Sequence, residues 1–368
     1  MSKQLGLGVI GYGGFGEFTT ATLKDLPQLR IAAIFDTIEA RREAAAARYQ
    51  QTHVYAEMEQ LLSDPEVDIV TIATPPWLHV SQALAAIKAK KHVFLEKPLA
   101  TSLSDADTLV SAVHEHRVHL TIDYVLRHVP IYKKLQALVN SKLLGDVAYV
   151  RLENTASNEA LHAQHWFWNR AKSGGIFIEH GVHFFDLCNQ VVGSKPDSIS
   201  GYAHTGSDGR QDRVMSAVAY ANGVQANFYH TFDRPAIIEQ TTFHVVMERG
   251  TATAYGWIPD RLEIQGTLPE QNYGQLEEVL GVRLEVTSVP APEGITGATP
   301  GQLVRATLTR ANRTLDYQNA VREGMVDLIK AIQGPDYKPQ VSLQDAYESF
   351  KLAYLSQQSI EKGHSLNF

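Results

Sequence analysis

Leu7-Gly8-Val9-Ile10-Gly11-Tyr12-Gly13-Gly14-Phe15-Gly16 carries an apolar run straight into Gly-x-Gly-x-x-Gly. A helical pattern follows, then a second apolar run from Ile31 to Phe35 that ends in Asp36. Strand, glycine turn, helix and strand in this order describe a unit that binds a dinucleotide. Gly11 permits the tight turn, Gly13 lets a pyrophosphate approach the backbone, and Gly16 lets helix and strand pack closely. The helix start, Gly14 and Phe15 included, offers N–H groups and a positive dipole end to the phosphates, with Tyr12 held inside the same turn. Asp36 lies 20 residues beyond Gly16, where a carboxylate accepts hydrogen bonds from a ribose diol. It would repel a 2′-phosphate, so NAD is the expected cofactor. Arg41 and Arg42, one helical turn further on, keep NADP possible.

Outward from this motif, the first 125 residues alternate strand-like and helix-like runs. Apolar runs at Leu7–Ile10, Ile31–Phe35, Ile69–Ala73, Val93–Leu95 and Leu120–Ile122 are separated by helical patterns such as Glu39–Tyr49, Leu78–Ala89 and Asp105–His116, the last with Ser104 as its expected cap. Such alternation predicts a doubly wound parallel sheet whose ligands collect at the strands' carboxyl ends. Beyond residue 125 the texture changes. Arg213–Ala221 and Val224–Phe232 flank Asn222-Gly223, a hairpin signal. Further short strand-like runs predict a mainly antiparallel sheet, Val289–Gly301 reads as a long loop, and two amphipathic helices follow, the second opened by Ser342-x-x-Asp345. The expected fold class is therefore α/β in two domains, 1–125 for the cofactor and 126–368 with a large open sheet.

Composition narrows the function. A net charge of −7 argues against a nucleic-acid partner held on a broad basic surface. No apolar run reaches the roughly 18 residues of a membrane span. The sequence runs from Met-Ser-Lys-Gln almost directly into the first strand, so no signal peptide is expected. Cys188 is the one cysteine, which excludes an internal disulfide and fits a cytoplasmic protein.

Three more segments fall where such a sheet builds its site. Thr74-Pro75-Pro76-Trp77-Leu78-His79 ends an apolar strand, and Thr74, Pro75 and His79 are candidates to line the cofactor; a turn merely stiffened by prolines is the structural alternative. Glu96-Lys97-Pro98 closes the next strand. A charged pair there is poor packing material, whereas Lys97 can donate hydrogen bonds to a hydroxyl and a ribose and stabilise a developing alkoxide. Gly174-Gly175 leads into Glu179-His180-Gly181-Val182-His183, with Asp186 three residues on. On a helix Glu179 would orient His183, whose near-neutral pKa suits proton transfer from a hydroxyl.

Together these residues resemble the glucose–fructose oxidoreductase / inositol dehydrogenase / rhizopine catabolism (Gfo/Idh/MocA) family. The glycine loop, Thr74-Pro75…His79, Glu96-Lys97-Pro98, Tyr124-x-x-Arg127-x-x-Pro130 and Gly174-Gly175…His183-x-x-Asp186 carry the resemblance across nearly the whole chain. It implies a Rossmann domain, a second α/β domain whose open sheet carries an oligomer interface (homodimer or homotetramer), and NAD(P)-dependent chemistry on a sugar, polyol or related cyclic compound. It makes Lys97 and His183 the catalytic pair, with Tyr124 and Arg127 towards the substrate. Two departures stand out: Glu179 where the family often has Asp, and His180 where it often has an apolar or small residue. The second suggests Glu179, His180 and His183 as metal ligands, with His162 and His165 upstream. The lysine–histidine pair suffices without a metal, so none is expected. His165, Trp166, Trp168, Arg170 and His180 are expected to line the substrate, since indole faces suit the C–H faces of a sugar ring. Two other functions fit the same motifs: a glycosidase that oxidises its substrate transiently through NAD, and a dinucleotide sensor without turnover.

Overall fold

The computed structural model describes residues 4–291, 293 and 300–368. The chain forms two compact units, each assembled from stretches far apart in sequence. One comprises Met1–His128, Gln164–Asp186 and Gln318–Tyr354; the other comprises Val129–Ala163, Leu187–Tyr317 and Leu355–Phe368. The first unit thus takes in two stretches that lie after residue 125.

The first unit is built on six parallel strands: β1 (Leu5–Ile10), β2 (Leu29–Phe35), β3 (His53–Tyr55), β4 (Ile69–Ile72), β5 (His92–Leu95) and β6 (Leu120–Ile122). Their order is β3-β2-β1-β4-β5-β6. The order reverses between β1 and β4, and the carboxyl ends of these two strands open the crevice where doubly wound sheets bind ligands. Both faces are covered, so β4 reads as an unbroken buried run. Helices α1 (Gly14–Leu23), α2 (Glu39–Arg48), α3 (Met58–Ser63), α4 (Pro76–Lys88) and α5 (Leu103–His116) connect the strands. Val9, Tyr12, Ile34 and Ala45 form one packed cluster behind the glycine turn.

Two local expectations shift. Ser102, not Ser104, caps α5, its hydroxyl accepting from the Asp105 amide at 3.2 Å. The short strand β3 and helix α3 have no clear periodic signal, because three residues at a sheet edge bury too little to show alternation.

The second unit begins with α6 (Pro130–Ser141) and holds a ten-stranded sheet. Its strands are β7 (Val147–Ser157), β8 (Pro196–Thr205), β9 (Gln211–Tyr220), β10 (Gln225–Arg234), β11 (Gln240–Met247), β12 (Gly250–Tyr255), β13 (Arg261–Gly266), β14 (Glu285–Val289), β15 (Gly301–Thr309) and β16 (Leu366–Asn367). All described pairs are antiparallel except β7 with β10. The β9–β10 hairpin turns at Asn222-Gly223, with Gly223 at φ +88°, as the sequence signal requires. Alternation is clean on β7, where Val150, Leu152 and Asn154 are buried and Arg151 and Glu153 are exposed. Of the loop expected over 289–301, residues 292 and 294–299 lie outside the described residues.

The remaining helices are α7 (Arg170–Ser173), α8 (Val182–Val192), α9 (Tyr273–Leu280), α10 (Arg313–Gln333) and α11 (Leu343–Lys362). Ser342 and Asp345 form the expected capping box of α11: the hydroxyl accepts from the Asp345 amide at 3.1 Å, and the Ser342 amide donates back to the carboxylate at 3.0 Å. No helix among the described residues is long and apolar enough to cross a membrane.

Candidate active site

Gly11 follows β1 with φ +90°, a conformation that a side chain would strain. A Cβ on Gly16 would lie 1.9 Å from the Gly11 carbonyl oxygen, so helix and turn meet at a distance that glycine alone allows. Gly13 caps α1 without a side-chain hydrogen bond to the helix amides, and beside Gly14 nothing lies within 4 Å of an added Cβ. This is an open cradle of backbone N–H groups at a helix start, and it fits a dinucleotide's pyrophosphate. Tyr12 contributes through its backbone: its amide donates to Asp36 Oδ2 at 2.7 Å, while its ring is buried edge-on to Tyr49. The other Asp36 oxygen accepts from the Ile38 amide at 2.8 Å. Phe15 packs beside Phe18.

The loop after β4 departs from expectation at His79. Its ring is fully buried, with Nε2 at 2.8 Å from the Thr74 carbonyl oxygen and Nδ1 at 2.9 Å from that of Pro98. Burial pushes its pKa down, and the two carbonyl contacts oppose that fall. His79 therefore ties the loop after β4 to the loop after β5. The Thr74 hydroxyl donates to Gln82 at 2.6 Å, and Pro75 precedes the first turn of α4. The exposed Trp77 meets Trp166 edge-on at 5.7 Å between centroids, with Lys172 Nζ 5.1 Å from its ring.

The carboxyl end of β5 carries the charged pair. Lys97 Nζ donates to both the backbone oxygen and Oε1 of Glu179, each at 2.7 Å. Those two bonds use two of the three donors on its ammonium. Glu96 is buried, and its carboxyl group neighbours that of the buried Asp123, which directly follows β6. Burial and the neighbouring charge hold Glu96 well above the usual carboxylate range, and burial pushes Asp123 up to about 7. Asp123 escaped the sequence reading; an acidic residue directly after a buried parallel strand was the available signal.

Gly174 and Gly175, both at positive φ, lead into a π-helical turn, Phe177–Gly181, which passes into α8. Wide turns of this kind inside α-helices recur at functional sites. Here the turn carries Glu179 and His180 and delivers His183 two residues after its end. The expectation that Glu179 orients His183 is corrected, since its carboxylate accepts from Lys97. His183 is buried beside the Tyr124 ring, 6.1 Å between centroids. Burial, the Lys97 charge and His180 together hold its imidazole well below the usual histidine range, hence neutral at pH 7. His180 is pushed down to about 3 by burial and by Lys97. Glu179, His180 and His183 do not make a metal centre: among the described residues no three such side chains are arranged to hold an ion.

Tyr124 and Arg127 lie in the interior, away from the role expected for them. The Tyr124 hydroxyl donates to the Ala346 carbonyl at 3.4 Å. Arg127 grips Asp186 with Nε at 2.7 Å and Nη2 at 2.6 Å, and its Nη1 reaches Gln340 O at 2.5 Å and Asp345 at 3.3 Å. Ser349 adds a hydrogen bond to Asp186 at 3.1 Å. This network pins the start of α8, three residues beyond His183. In the tryptophan segment, His165 stacks near Trp166 at 5.2 Å and its Nδ1 accepts from the Phe167 amide. Trp168 packs edge-on to Phe167, and Arg170, exposed, opens α7.

Residues 5–124 match the family model described as an oxidoreductase family with an NAD-binding Rossmann fold, and residues 132–253 match the GFO/IDH/MocA C-terminal domain. The uncharacterized oxidoreductase YrbE of Bacillus subtilis (strain 168) is 30% identical over 54% of this chain and 57% of its own length. The 1,5-anhydro-D-fructose reductase of Ensifer adhaerens is 31% identical over 55% of this chain and 62% of its own. The chain thus spans between half and two thirds of these relatives. Among solved structures, the WlbA dehydrogenase from Bordetella pertussis, in complex with NADH and UDP-GlcNAcA, superposes with a TM-score of 0.82 at 19% identity, covering 100% of this chain and 99% of that one.

Proposed function

Because this chain belongs to the GFO/IDH/MocA oxidoreductase family, with an NAD-binding Rossmann domain, we propose that it interconverts a hydroxyl and a carbonyl on a sugar, polyol or related cyclic substrate. The observation that carries the proposal is the convergence of Lys97, Glu179 and neutral, buried His183 within the compact unit that holds the glycine cradle. A nicotinamide cofactor held on that cradle supplies the acceptor or donor of the hydride.

In the oxidising direction, the carbinol C–H bond breaks with its electron pair and the O–H proton leaves, so that a C=O bond forms. His183 takes that proton, and its depressed pKa keeps it free to do so at neutral pH. Lys97 directs its third N–H at the same oxygen and stabilises the charge that builds there. Glu179 holds the ammonium in place. Arg127 and Asp186 act as positioning residues for the His183 backbone. Trp77, Trp166 and Lys172 offer aromatic faces and a cation suited to a hydroxylated ring. NAD is the preferred cofactor in this reading, the remainder of the chain serves substrate binding, and the ten-stranded sheet pairs copies into a homodimer or homotetramer, which light scattering reads directly.

The test is a panel of sugars, polyols and sugar acids with NAD and NADP, read by absorbance of the reduced cofactor. Net cofactor reduction is the expected result. Release of a glycosidic leaving group at constant NAD, or cofactor binding without turnover on any member, would overturn the proposal. His183→Ala should lower kcat by about 10²- to 10⁴-fold while NADH still binds.

A further inference from the structure

Resting on the cofactor reading above, we propose that Glu96 and Asp123 share one exchangeable proton and thereby distinguish the oxidised from the reduced nicotinamide. The strand register makes the two residues neighbours. Leu95 and Ile122 pair at the ends of β5 and β6, so the next position on each strand carries a carboxyl group. The Asp123 amide donates to the Leu95 carbonyl at 2.9 Å, and the Glu96 amide to Ile72 O on β4 at 3.1 Å, which fixes both backbones. Glu96 is 8% exposed and Asp123 3%. Glu96 Oε1 and Asp123 Oδ1 are buried without a hydrogen-bond partner. Two ionised carboxylates are poorly tolerated side by side in such a place, and a proton held by either one removes the repulsion.

Burial and the Asp123 charge raise Glu96 well above the usual carboxylate range, against the opposing charge of Lys97; burial pushes Asp123 up to about 7. The proton is therefore exchangeable near neutral pH. The other charged groups at this corner of the sheet are engaged elsewhere. Arg127 is bound to Asp186, and His128 Nδ1 lies 3.8 Å from Glu323 of α10. Asp327, further along α10, accepts from the Tyr337 hydroxyl and the Gln340 amide. Lys97 directly follows Glu96 and meets the reacting oxygen, so the ring that exchanges the hydride belongs at this same sheet end. That ring is positively charged when oxidised and neutral when reduced. A positive charge beside a buried carboxyl pair favours its ionised form. The pair thus gives its proton to solvent when the ring is charged and keeps it when the ring is neutral; no bond other than O–H breaks or forms.

The experiment measures dissociation constants of NAD and NADH for the full chain from about pH 6 to about pH 8.5, and counts protons by titration calorimetry in buffers of different ionisation enthalpy. Taking the ratio of the two constants cancels groups that meet the shared phosphates and adenosine. The ratio of the NAD to the NADH constant should fall as pH climbs through about 7, by about tenfold for each pH unit that the ring's charge moves the pair's titration. NAD binding should release part of a proton, and NADH binding none. In Asp123→Asn the change should move to lower pH, because Glu96 loses the neighbouring charge that helps to raise it. In the double variant Glu96→Gln/Asp123→Asn, an uncharged pair of nearly the same shape, it should vanish. A wild-type ratio that is flat in pH would overturn the inference. So would a pH dependence that survives in the double variant, which would assign the proton to Lys97 or His183. Failure to bind either nucleotide would instead overturn the cofactor reading itself.

Discussion

At the residue scale, the motif residues divide into those that face a ligand and those that hold the frame. Gly11, Gly13 and Gly16 are legible from sequence because each answers a backbone requirement that no other residue meets. His79, Tyr124 and Arg127 carry the same kind of motif signal, yet all three are buried and bonded within the fold. A motif records that a residue type is needed, not which way its side chain points. The buried pair Glu96 and Asp123 makes a separate prediction about pH. A carboxyl with a raised folded pKa keeps its proton where the unfolded chain has lost it. Its stabilisation is complete below about pH 4 and disappears as pH climbs through the folded value, about 7 for Asp123. The melting temperature of the wild type relative to Asp123→Asn should therefore drop between pH 5 and pH 8. An unchanged difference would show that the two carboxyls share no proton.

At the element scale, the segment 174–186 was legible as a helix with Glu179 and His183 on one face. The structure widens its first turn, and that turn brings the Glu179 carboxylate to Lys97. Sequence periodicity cannot reveal this, since a single wide turn spans too few residues to display a period of its own. What keeps the segment in place is the fork of Arg127 on Asp186, both almost wholly buried. Burial drives the Asp186 pKa up, and the Arg127 charge and hydrogen bonds oppose that rise. Removing the arginine strands a carboxylate in the interior. Arg127→Met should cost about 3–5 kcal/mol in a denaturant titration. It should also lower kcat more than it raises KM, because His183 loses its register rather than its partner. A loss confined to KM would place Arg127 at the substrate.

At the scale of the whole molecule, the parallel sheet, the mainly antiparallel sheet and the β9–β10 hairpin were accessible from alternation, turn signals and glycine placement, and the strand orders were not. Neither was the interleaving of the two units. It depends on contacts between residues more than 200 apart, which local pattern does not encode. Thr121 donates to Val341 O at 3.2 Å, Tyr347 to Asp107 at 2.6 Å, and Arg322 to Thr22 O at 2.8 Å, all within the first unit. A fragment of residues 1–128 lacks every one of these partners as well as Glu179 and His183. It should unfold at lower denaturant than the full chain and bind NADH more weakly; equal stability would show that the later segments are dispensable to the fold.

That same interleaving governs the order of events on the ribosome. The glycine turn emerges almost at once, but α10 and the start of α11, which complete its unit, follow about 300 residues later. Phe94, in contact range of Gly324 on α10, and Thr121 must wait in the growing chain with their partners unmade. At typical synthesis rates of about 5–20 residues per second that wait lasts tens of seconds. The sheet still waiting for these later segments is thus the stage of this protein's life at which a chaperone has most to cover.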